Sequence, residues 1–189
     1  SGFTIWFSST YFEIKATTDD YLTVYKSLLP GTLSADYSEY KYLSFTAKGS
    51  GLTELGLIKS SIEDWKSQYR IMVDLTAKEQ TYYIPFDAFI SANSKESMIA
   101  NDLTTLTFTF LPVEAKTKEL DMFISNVKFV KVAGNDGIVI NKKVKFDNSF
   151  LAYPNPSKGL VNLMLFSNSD TNADITLSDL LGRTIYKSS

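Results

Sequence analysis

The 189-residue sequence contains no cysteine and no histidine. Without cysteine, neither a disulfide framework nor thiolate chemistry is possible. Without histidine, the chain lacks the commonest general base and the commonest zinc ligand. A Ser-His-Asp triad, a Cys-His pair and a His-based metal site each need one of these residues, so all three are excluded.

Long apolar runs and a charge excess are also missing. No segment approaches the roughly 18 consecutive apolar residues that span a bilayer, so no membrane-spanning helix is predicted. The formal net charge is -2 with Lys and Arg scattered along the chain, which gives no electrostatic footprint for nucleic acid. The opening Ser1-Gly2-Phe3 has no signal-peptide pattern. Because the sequence begins with Ser and not with Met, we expect it to be a fragment of a longer protein that extends upstream.

The sequence offers little for catalysis by carboxylates or on nucleotides. A glycosidase needs only two carboxylates, and Glu63 with Asp64, or Asp87 with Glu54, would supply a pair. Among 21 acidic residues such pairs arise by chance, and nothing places either pair across a cleft. Gly49-Ser50-Gly51 lacks the remaining glycine and lysine of a phosphate-binding loop. We therefore predict that this chain is not an enzyme, whereas an upstream part of the parent would be the place for a hydrolase, lyase or peptidase.

Aromatic residues are abundant, at 14% of the chain, and lie in short segments where apolar and polar positions alternate. This period of two predicts β-strands. Between Gln68 and Leu75, Tyr69 and the alternate residues after it should face the core, with Gln68 and Arg70 outward. Many short strands between turns predict an all-β, two-sheet sandwich, with strands near residues 3–7, 11–16, 21–25, 42–47, 55–59, 68–75, 80–85, 106–111 and 122–130.

Two domains are predicted. Residues 1–132 form the sandwich. Residues 133–149, which open with Ala133-Gly134-Asn135-Asp136-Gly137, form a linker that could add strands to either domain. A second β pattern covers residues 150–189, with strands near 160–166, 173–178 and 183–186. Three strands are near the lower limit of what folds independently.

The second domain carries two ordered motifs, Tyr153-Pro154-Asn155-Pro156-Ser157-Lys158-Gly159 and Leu177-Ser178-Asp179-Leu180-Leu181-Gly182-Arg183. Together they resemble the type A C-terminal sorting domain of the type IX secretion system. The prolines fix φ and withhold donors, which favours a rigid turn, and Gly159 and Gly182 suit tight turns. The family's closing strands are absent, so the resemblance implies a small, truncated Ig-like β-sandwich.

This resemblance also implies a location and a partner. Such cargo belongs to Bacteroidota and crosses the outer membrane through the type IX machinery. It is then released or anchored at the cell surface after the sorting domain is cleaved. We therefore predict a secreted or outer-surface protein, with the sorting motif formed by Tyr153, Pro154, Asn155, Pro156, Gly159, Asp179, Gly182 and Arg183.

The first domain resembles the galactose-binding-like jelly rolls found in many carbohydrate-binding modules. The resemblance is carried by a strand followed by Lys-Gly at residues 36–49 and by the segment at residues 82–89. Two closing strands, at 106–110 and 124–129, complete it. The resemblance implies a jelly-roll β-sandwich, whereas a ligand has to be argued from a site.

A sugar site needs a flat aromatic face surrounded by polar side chains. Trp65 is the leading candidate, because it lies in a polar loop where strand periodicity does not require a large aromatic. The alternative is that Trp65 is a lid folded back on the core. Trp6 is expected in the core. The predicted ligand-binding residues are Trp65, Arg70, Gln68, Lys59, Tyr37 and Tyr40.

No cofactor is predicted, and a structural Ca2+ is left open. Its possible ligands are Glu13, Asp19, Asp20 and Asp121, whose spacing matches no loop signature. The leading hypothesis is a non-catalytic carbohydrate-binding module of a secreted protein, with polysaccharide and the secretion machinery as partners. The alternative is a structural spacer or adhesion module that supports an upstream hydrolase or peptidase and has no sugar ligand.

Overall fold

The computed structural model describes residues 3–7, 10–18, 21–49, 51–94, 96–111, 118–140, 149–153, 161–166, 172 and 174–188. These residues confirm the all-β prediction. They form β1 (Phe3–Phe7), β2 (Tyr11–Thr18), β3 (Leu22–Ser27), β4 (Tyr42–Lys48), β5 (Gly51–Lys59), β6 (Tyr69–Leu75), β7 (Gln80–Pro85), β8 (Leu103–Phe110), β9 (Lys118–Val130), β10 (Gly137–Val139), β11 (Ser149–Tyr153), β12 (Asn162–Phe166), β13 (Ile175–Ser178) and β14 (Thr184–Ser188). Three short 3₁₀ turns lie at Pro30–Thr32, Trp65–Ser67 and Phe86–Ala88.

Strands β1 to β10 lie in the first of two compact units. A six-stranded sheet has the order β1-β2-β9-β4-β7-β10, and a four-stranded sheet has the order β3-β8-β5-β6. The buried apolar side chains of both sheets form one core, in which the rings of Phe45 and Phe108 meet with centroids 5.5 Å apart. The first unit is therefore a two-sheet sandwich, as predicted.

β6 shows how the alternation of the sequence specifies the core. A strand points successive side chains to opposite faces, and the four residues predicted to face inward are all buried: Tyr69, Ile71, Val73 and Leu75. Arg70 lies on the outward face, as predicted. Because the β-branched and aromatic residues of this strand fill the space between the sheets, the position of Arg70 on the outer surface is fixed by the same packing.

β9 contains a bulge that changes which side chains face the core. Against β4, its register shifts where Thr46 pairs with Ser125 and Ser44 with Lys128, so β9 has one extra residue there. Asn126 lies in this bulge with φ 53°, in the left-handed region that a residue with a Cβ rarely adopts. Residues with even numbers face the core before the bulge, and residues with odd numbers pack against it afterwards.

The segment expected to be a linker contributes to the first unit. Its residues Gly137–Val139 form β10, which pairs in parallel with β7. The Tyr83 hydroxyl of β7 donates to the Asp136 carboxylate at 2.7 Å. A Cβ on Gly137 would overlap the Thr81 carbonyl, so glycine allows this close approach. Part of the predicted linker is therefore sheet, while the domain boundaries remain a prediction.

Four further strands follow in two small sheets, in which β11 pairs with β12, and β13 with β14. The positions of β12, β13 and β14 agree with the strands predicted near 160–166, 173–178 and 183–186, whereas β11 was not among the predicted strands. The turn between β13 and β14 leaves Leu180 and Leu181 fully or mostly exposed, and Leu177, Ile185 and Tyr186 on the two strands are also exposed. These strands therefore keep their backbone pairing without burying these large apolar side chains.

Candidate functional site

Trp65 stands in a polar loop between β5 and β6. It opens a 3₁₀ turn that Asp64 caps by accepting the Lys66 backbone N–H at 3.1 Å. The Ser67 hydroxyl donates to Asp64 at 2.6 Å, and the Asn93 amide donates to the Ser67 hydroxyl at 2.6 Å. The indole is 48% exposed. Trp65 is therefore a surface residue on a hydrogen-bonded loop, and the lid alternative is wrong.

Gln68 and Lys59 hold this loop at its base. The buried Gln68 side chain accepts the Lys59 N–H at 2.8 Å and donates to the carbonyls of Lys59 and Ile62 at 3.1 and 2.6 Å. The Lys59 ammonium is also buried, donates to the Ile99 carbonyl at 2.5 Å and pairs with Asp102. The outward position expected for Gln68 is wrong, because its amide satisfies three backbone groups of the loop inside the protein.

The Arg70 guanidinium supports the Trp65 ring. Its central carbon lies 4.9 Å from the ring centroid, a cation–π distance. One terminal nitrogen donates to the Trp65 carbonyl at 2.7 Å, and Nε lies 3.2 Å from the Glu54 carboxylate. Burial raises the pKa of Glu54, and the charge and hydrogen bond of Arg70 oppose that rise. Arg70 is thus brought to Trp65 as predicted, where it acts as a support for the ring.

Tyr25 is the aromatic residue of this surface that sequence reasoning missed. It is 62% exposed, and its ring centroid lies 6.3 Å from that of Trp65. Across the four-stranded sheet, Tyr25 pairs with Thr107, Thr107 with Gly56 and Gly56 with Arg70. A Cβ on Gly56 would overlap the Thr107 hydroxyl. Because Gly56 has no side chain, nothing projects from the sheet at this position between Tyr25 and Arg70. We call Tyr25, Trp65 and Arg70 the platform.

A signal for Tyr25 was present in the sequence. Tyr25 follows the inward-facing Val24 in an alternating strand, so its side chain had to point away from the core. What the sequence could not show is that β3 lies three strands away from the Trp65 loop yet shares its outer face, because that depends on the sheet order.

Tyr37 and Tyr40 lie in a different aromatic group. The Tyr37 ring lies 4.5 Å from the Phe129 ring and 6.1 Å from the Tyr40 ring, centroid to centroid. Phe86 meets Phe129 edge-on at 5.6 Å. Both tyrosines are partly buried and pack on the core. We call these four residues the Phe129 cluster, and its packing accounts for the two tyrosines without a ligand.

The remaining site predictions concern a metal and Trp6, the tryptophan expected in the core. Asp19 and Asp20 lie outside the described residues, as does the side chain of Trp6. Glu13 forms an ion pair with Lys15 at 3.2 Å. Among the residues that the structure describes, no group of three or more acidic side chains is close enough together to hold a metal ion. Calcium binding therefore gains no support from the described part of the chain.

Asp179 organises the turn between β13 and β14. Its carboxylate accepts the backbone N–H groups of Leu181 and Arg183, both at 2.9 Å, and the Arg183 Nε at 2.6 Å. These hydrogen bonds, with those from Arg183 the largest, lower the pKa of Asp179. Gly182 has φ 79°, a conformation that favours glycine. Of the other predicted motif residues, Tyr153 ends β11, and Pro154, Asn155, Pro156 and Gly159 lie outside the described residues.

The fold is similar to those of several solved proteins. A family 11 carbohydrate-binding module from Clostridium thermocellum, in complex with a β-1,3-1,4-mixed-linked tetrasaccharide, is similar with a TM-score of 0.51 and 18% identity over 68% of this chain and 81% of that chain. A family 30 carbohydrate-binding module has a TM-score of 0.50 and 17% identity over 68% and 83%. An agarase has a TM-score of 0.53 and 12% identity over 70% of this chain and 22% of its own. These likenesses confirm the predicted jelly-roll fold.

A second comparison concerns the end of the chain. Residues 151–189 match the family model of the secretion system C-terminal sorting domain, which confirms the resemblance carried by the two motifs. No curated protein matches the chain. Among the described residues, no helix is long and apolar enough to cross a membrane.

Proposed function

We propose that the first unit is a non-catalytic carbohydrate-binding module and that its ligand lies on the platform. The observation that carries this proposal is the indole of Trp65, which is held from below by Arg70 at 4.9 Å and is still 48% exposed. A large aromatic that is both exposed and fixed in place presents an apolar surface at little entropic cost. Such residues dominate the energetics of many binding surfaces.

The chemistry of the platform suits a pyranose. The flat faces of Trp65 and Tyr25 offer an apolar surface to the C–H side of a sugar ring. Asp64, Ser67 and Asn93, next to Trp65 in space, offer exposed polar groups for hydroxyls. The jelly-roll likeness supports the proposal, since two of the similar structures are carbohydrate-binding modules and one of these holds a bound tetrasaccharide.

The ion pairing of Glu54, the acidic residue next to the platform, supports a role without catalysis. The Glu54 carboxylate is ion-paired with Arg70 at 3.2 Å, and glycoside hydrolysis needs a second carboxylate across the scissile bond. The likeness to an agarase also supports a non-catalytic role, because the matched part is only 22% of that enzyme's chain. On this proposal the first unit acts as an accessory module without catalysis of its own.

The match at residues 151–189 supports secretion as the fate of the chain. The protein is secreted or displayed at the cell surface, and its sorting segment is recognised by the type IX secretion machinery. A glycan-binding module is useful in that location, because it keeps an attached activity close to extracellular polysaccharide.

The test is a binding titration with soluble neutral polysaccharides, including mixed-linked β-glucan and agarose oligosaccharides, followed by calorimetry. We expect saturable binding that falls by at least about 30-fold in Trp65→Ala, as for a central hot spot of about 2 kcal/mol. Thermal stability should change little, because the indole is largely outside the core. Tyr186→Ala, an exposed aromatic of β14, is the matched control and should bind as the parent does. If the chain binds no glycan, or if Trp65→Ala binds equally well, the result would favour the structural spacer over the carbohydrate-binding module.

A further inference from the structure

The row of side chains that carries the platform extends past Arg70. Ile90 follows the 3₁₀ turn after β7 and pairs with Arg70 in an isolated antiparallel bridge. The two residues exchange both backbone hydrogen bonds, at 2.8 and 2.9 Å. Residues that are paired in this way have their side chains on the same face of a sheet, about 5 Å apart. Ile90 therefore lies on the outer face of the four-stranded sheet, directly next to Arg70.

The burial of its neighbours agrees with this position of Ile90. Phe89 and Ser91 are buried, whereas Ile90 is 52% exposed. This alternation is typical of extended backbone with one face on a core. The Ser91 hydroxyl donates to the Ser67 carbonyl at 2.6 Å, which ties the segment to the loop that carries Trp65. Ile90 is thus an exposed apolar side chain on a backbone that is fixed from two sides.

Three exposed apolar groups follow one another across this face of the sheet. The rings of Tyr25 and Trp65 lie 6.3 Å apart, centroid to centroid. The Trp65 ring lies 4.9 Å from the Arg70 guanidinium, and Ile90 is the cross-strand partner of Arg70. Tyr25 is on β3, the outer strand at one edge, and Ile90 lies beyond β6, the outer strand at the other edge. We call Tyr25, Trp65 and Ile90 the apolar row, which crosses the sheet from edge to edge.

The spacing and the tilt of the two rings restrict which form of glycan fits the apolar row. The 6.3 Å between the ring centroids is comparable with the length of one sugar unit, so neighbouring units of one chain would contact neighbouring rings. The two ring planes are tilted by 44° relative to each other. A crystalline polysaccharide presents a flat surface and requires coplanar rings, whereas a single chain in solution can turn from one unit to the next. The tilt therefore favours a single chain.

We infer that the module binds the interior of a single, soluble glycan chain of at least three units, which lies across the strands and contacts Tyr25, Trp65 and Ile90 in turn. This inference rests on the proposed function, since Trp65 is central to both. It adds the length and the physical form of the ligand, and it assigns Ile90 as a further binding residue. Because the apolar row reaches both edges of the described sheet, a longer chain would continue past both of its ends.

The experiment measures the affinity of the full 189-residue chain for oligosaccharides of two, three and six units and for the polymers, from mixed-linked β-glucan and from agarose. A trisaccharide should bind about threefold more tightly than a disaccharide, because contacts around a central hot spot are individually weak. Ile90→Ala should remove that gain and leave the affinity for a disaccharide unchanged, since two units occupy the two rings. Ile138→Ala removes an exposed isoleucine from β10 in the other sheet and is the matched control. A hexasaccharide should bind as tightly as its polymer.

The outcomes separate this inference from the proposed function. If Ile90→Ala binds every oligosaccharide as Ile138→Ala does, or loses affinity for the disaccharide equally, the third contact is wrong, and binding that still depends on Trp65 keeps the proposed function. If the polymers bind and the hexasaccharides do not, the ligand is a polymer surface and the single chain is wrong. If Trp65→Ala retains all binding, or if no glycan binds, the proposed function fails and the apolar row fails with it.

Discussion

The platform and the Phe129 cluster are both built around aromatic side chains, yet their ring faces are used differently. In the Phe129 cluster, Tyr37 and Tyr40 lie against Phe129 with ring centroids 4.5 and 6.4 Å away, so their faces are used inside the protein. In the platform, Trp65 and Tyr25 touch each other at 6.3 Å and stay 48% and 62% exposed. Aromatic content therefore does not identify a binding surface. What distinguishes the two groups is whether the ring faces are already covered.

Removing the centre of the Phe129 cluster should give the largest effect. Phe129→Ala deletes the ring on which Tyr37, Tyr40 and Phe86 pack, and should lower the free energy of unfolding by about 3 kcal/mol. Glycan affinity should change by less than about twofold, because an aromatic to alanine change away from a binding surface removes no contact to the ligand. Urea denaturation and binding titration measure the two effects. The contrast would break down if Phe129→Ala lost affinity while keeping its stability.

The converse change tests the platform. Tyr25→Ala should lower the free energy of unfolding by less than about 0.5 kcal/mol, as surface substitutions usually do. In the same titration its affinity should fall by about tenfold, because one of the two ring faces is lost. If Tyr25→Ala were destabilised and its glycan affinity unchanged, Tyr25 would have a packing role like that of Tyr37 and Tyr40, and would not contact the ligand.

A smaller effect is expected at the support of the platform. In Arg70→Lys the charge stays, but one ammonium cannot contact the Trp65 ring, the Trp65 carbonyl and Glu54 together as the guanidinium does. We expect a loss of about 1 kcal/mol in stability and of about fivefold in affinity, the latter through a less fixed indole. Lys66→Arg, on the same loop, is the control. Equal affinity in Arg70→Lys would show that the indole needs no support from below.

The smallest effect is a pH dependence at the base of the loop that carries Trp65, where Asp102 pairs with Lys59. Burial raises the pKa of Asp102, but hydrogen bonds from Lys59 and Ser61 outweigh this and lower it below 3.8. A carboxyl whose pKa is lowered by folding contributes stability above its unfolded value, and that contribution is lost as the pH falls through the folded value. The free energy of unfolding of the unsubstituted chain should therefore exceed that of Asp102→Asn by a constant amount between about pH 5 and 7, and this difference should shrink in acid. An advantage unchanged down to about pH 2 would contradict this assignment.

The sequence predicted the elements better than their partners. The alternation in β6 correctly placed Tyr69, Ile71, Val73 and Leu75 in the core, because a strand buried on one face has to follow it. The same alternation placed Gln68 outward, and there it was wrong. Gln68 lies one residue before β6, where the backbone has left the ladder, so its amide turns inward to bond the loop.

The candidate site could be predicted only in part, for the same reason. Trp65 and Arg70 are neighbours in sequence, and local reasoning brought them together. Tyr25 is 40 residues away from Trp65, so only the sheet order could bring them together. The sorting motif was readable because the partners of Asp179 lie within four residues of it in the chain.

The loop that carries Trp65 has one more consequence. Gln68 ties its base through three hydrogen bonds, and Asp64, Ser67 and Asn93 tie its tip. The loop is thus preorganised. The entropic cost of ordering it is incurred during folding, so ligand binding does not incur it again. Binding should then be fast for its affinity and show a small entropic penalty in calorimetry. On the proposed function, the module would bind and release a polysaccharide without refolding this loop.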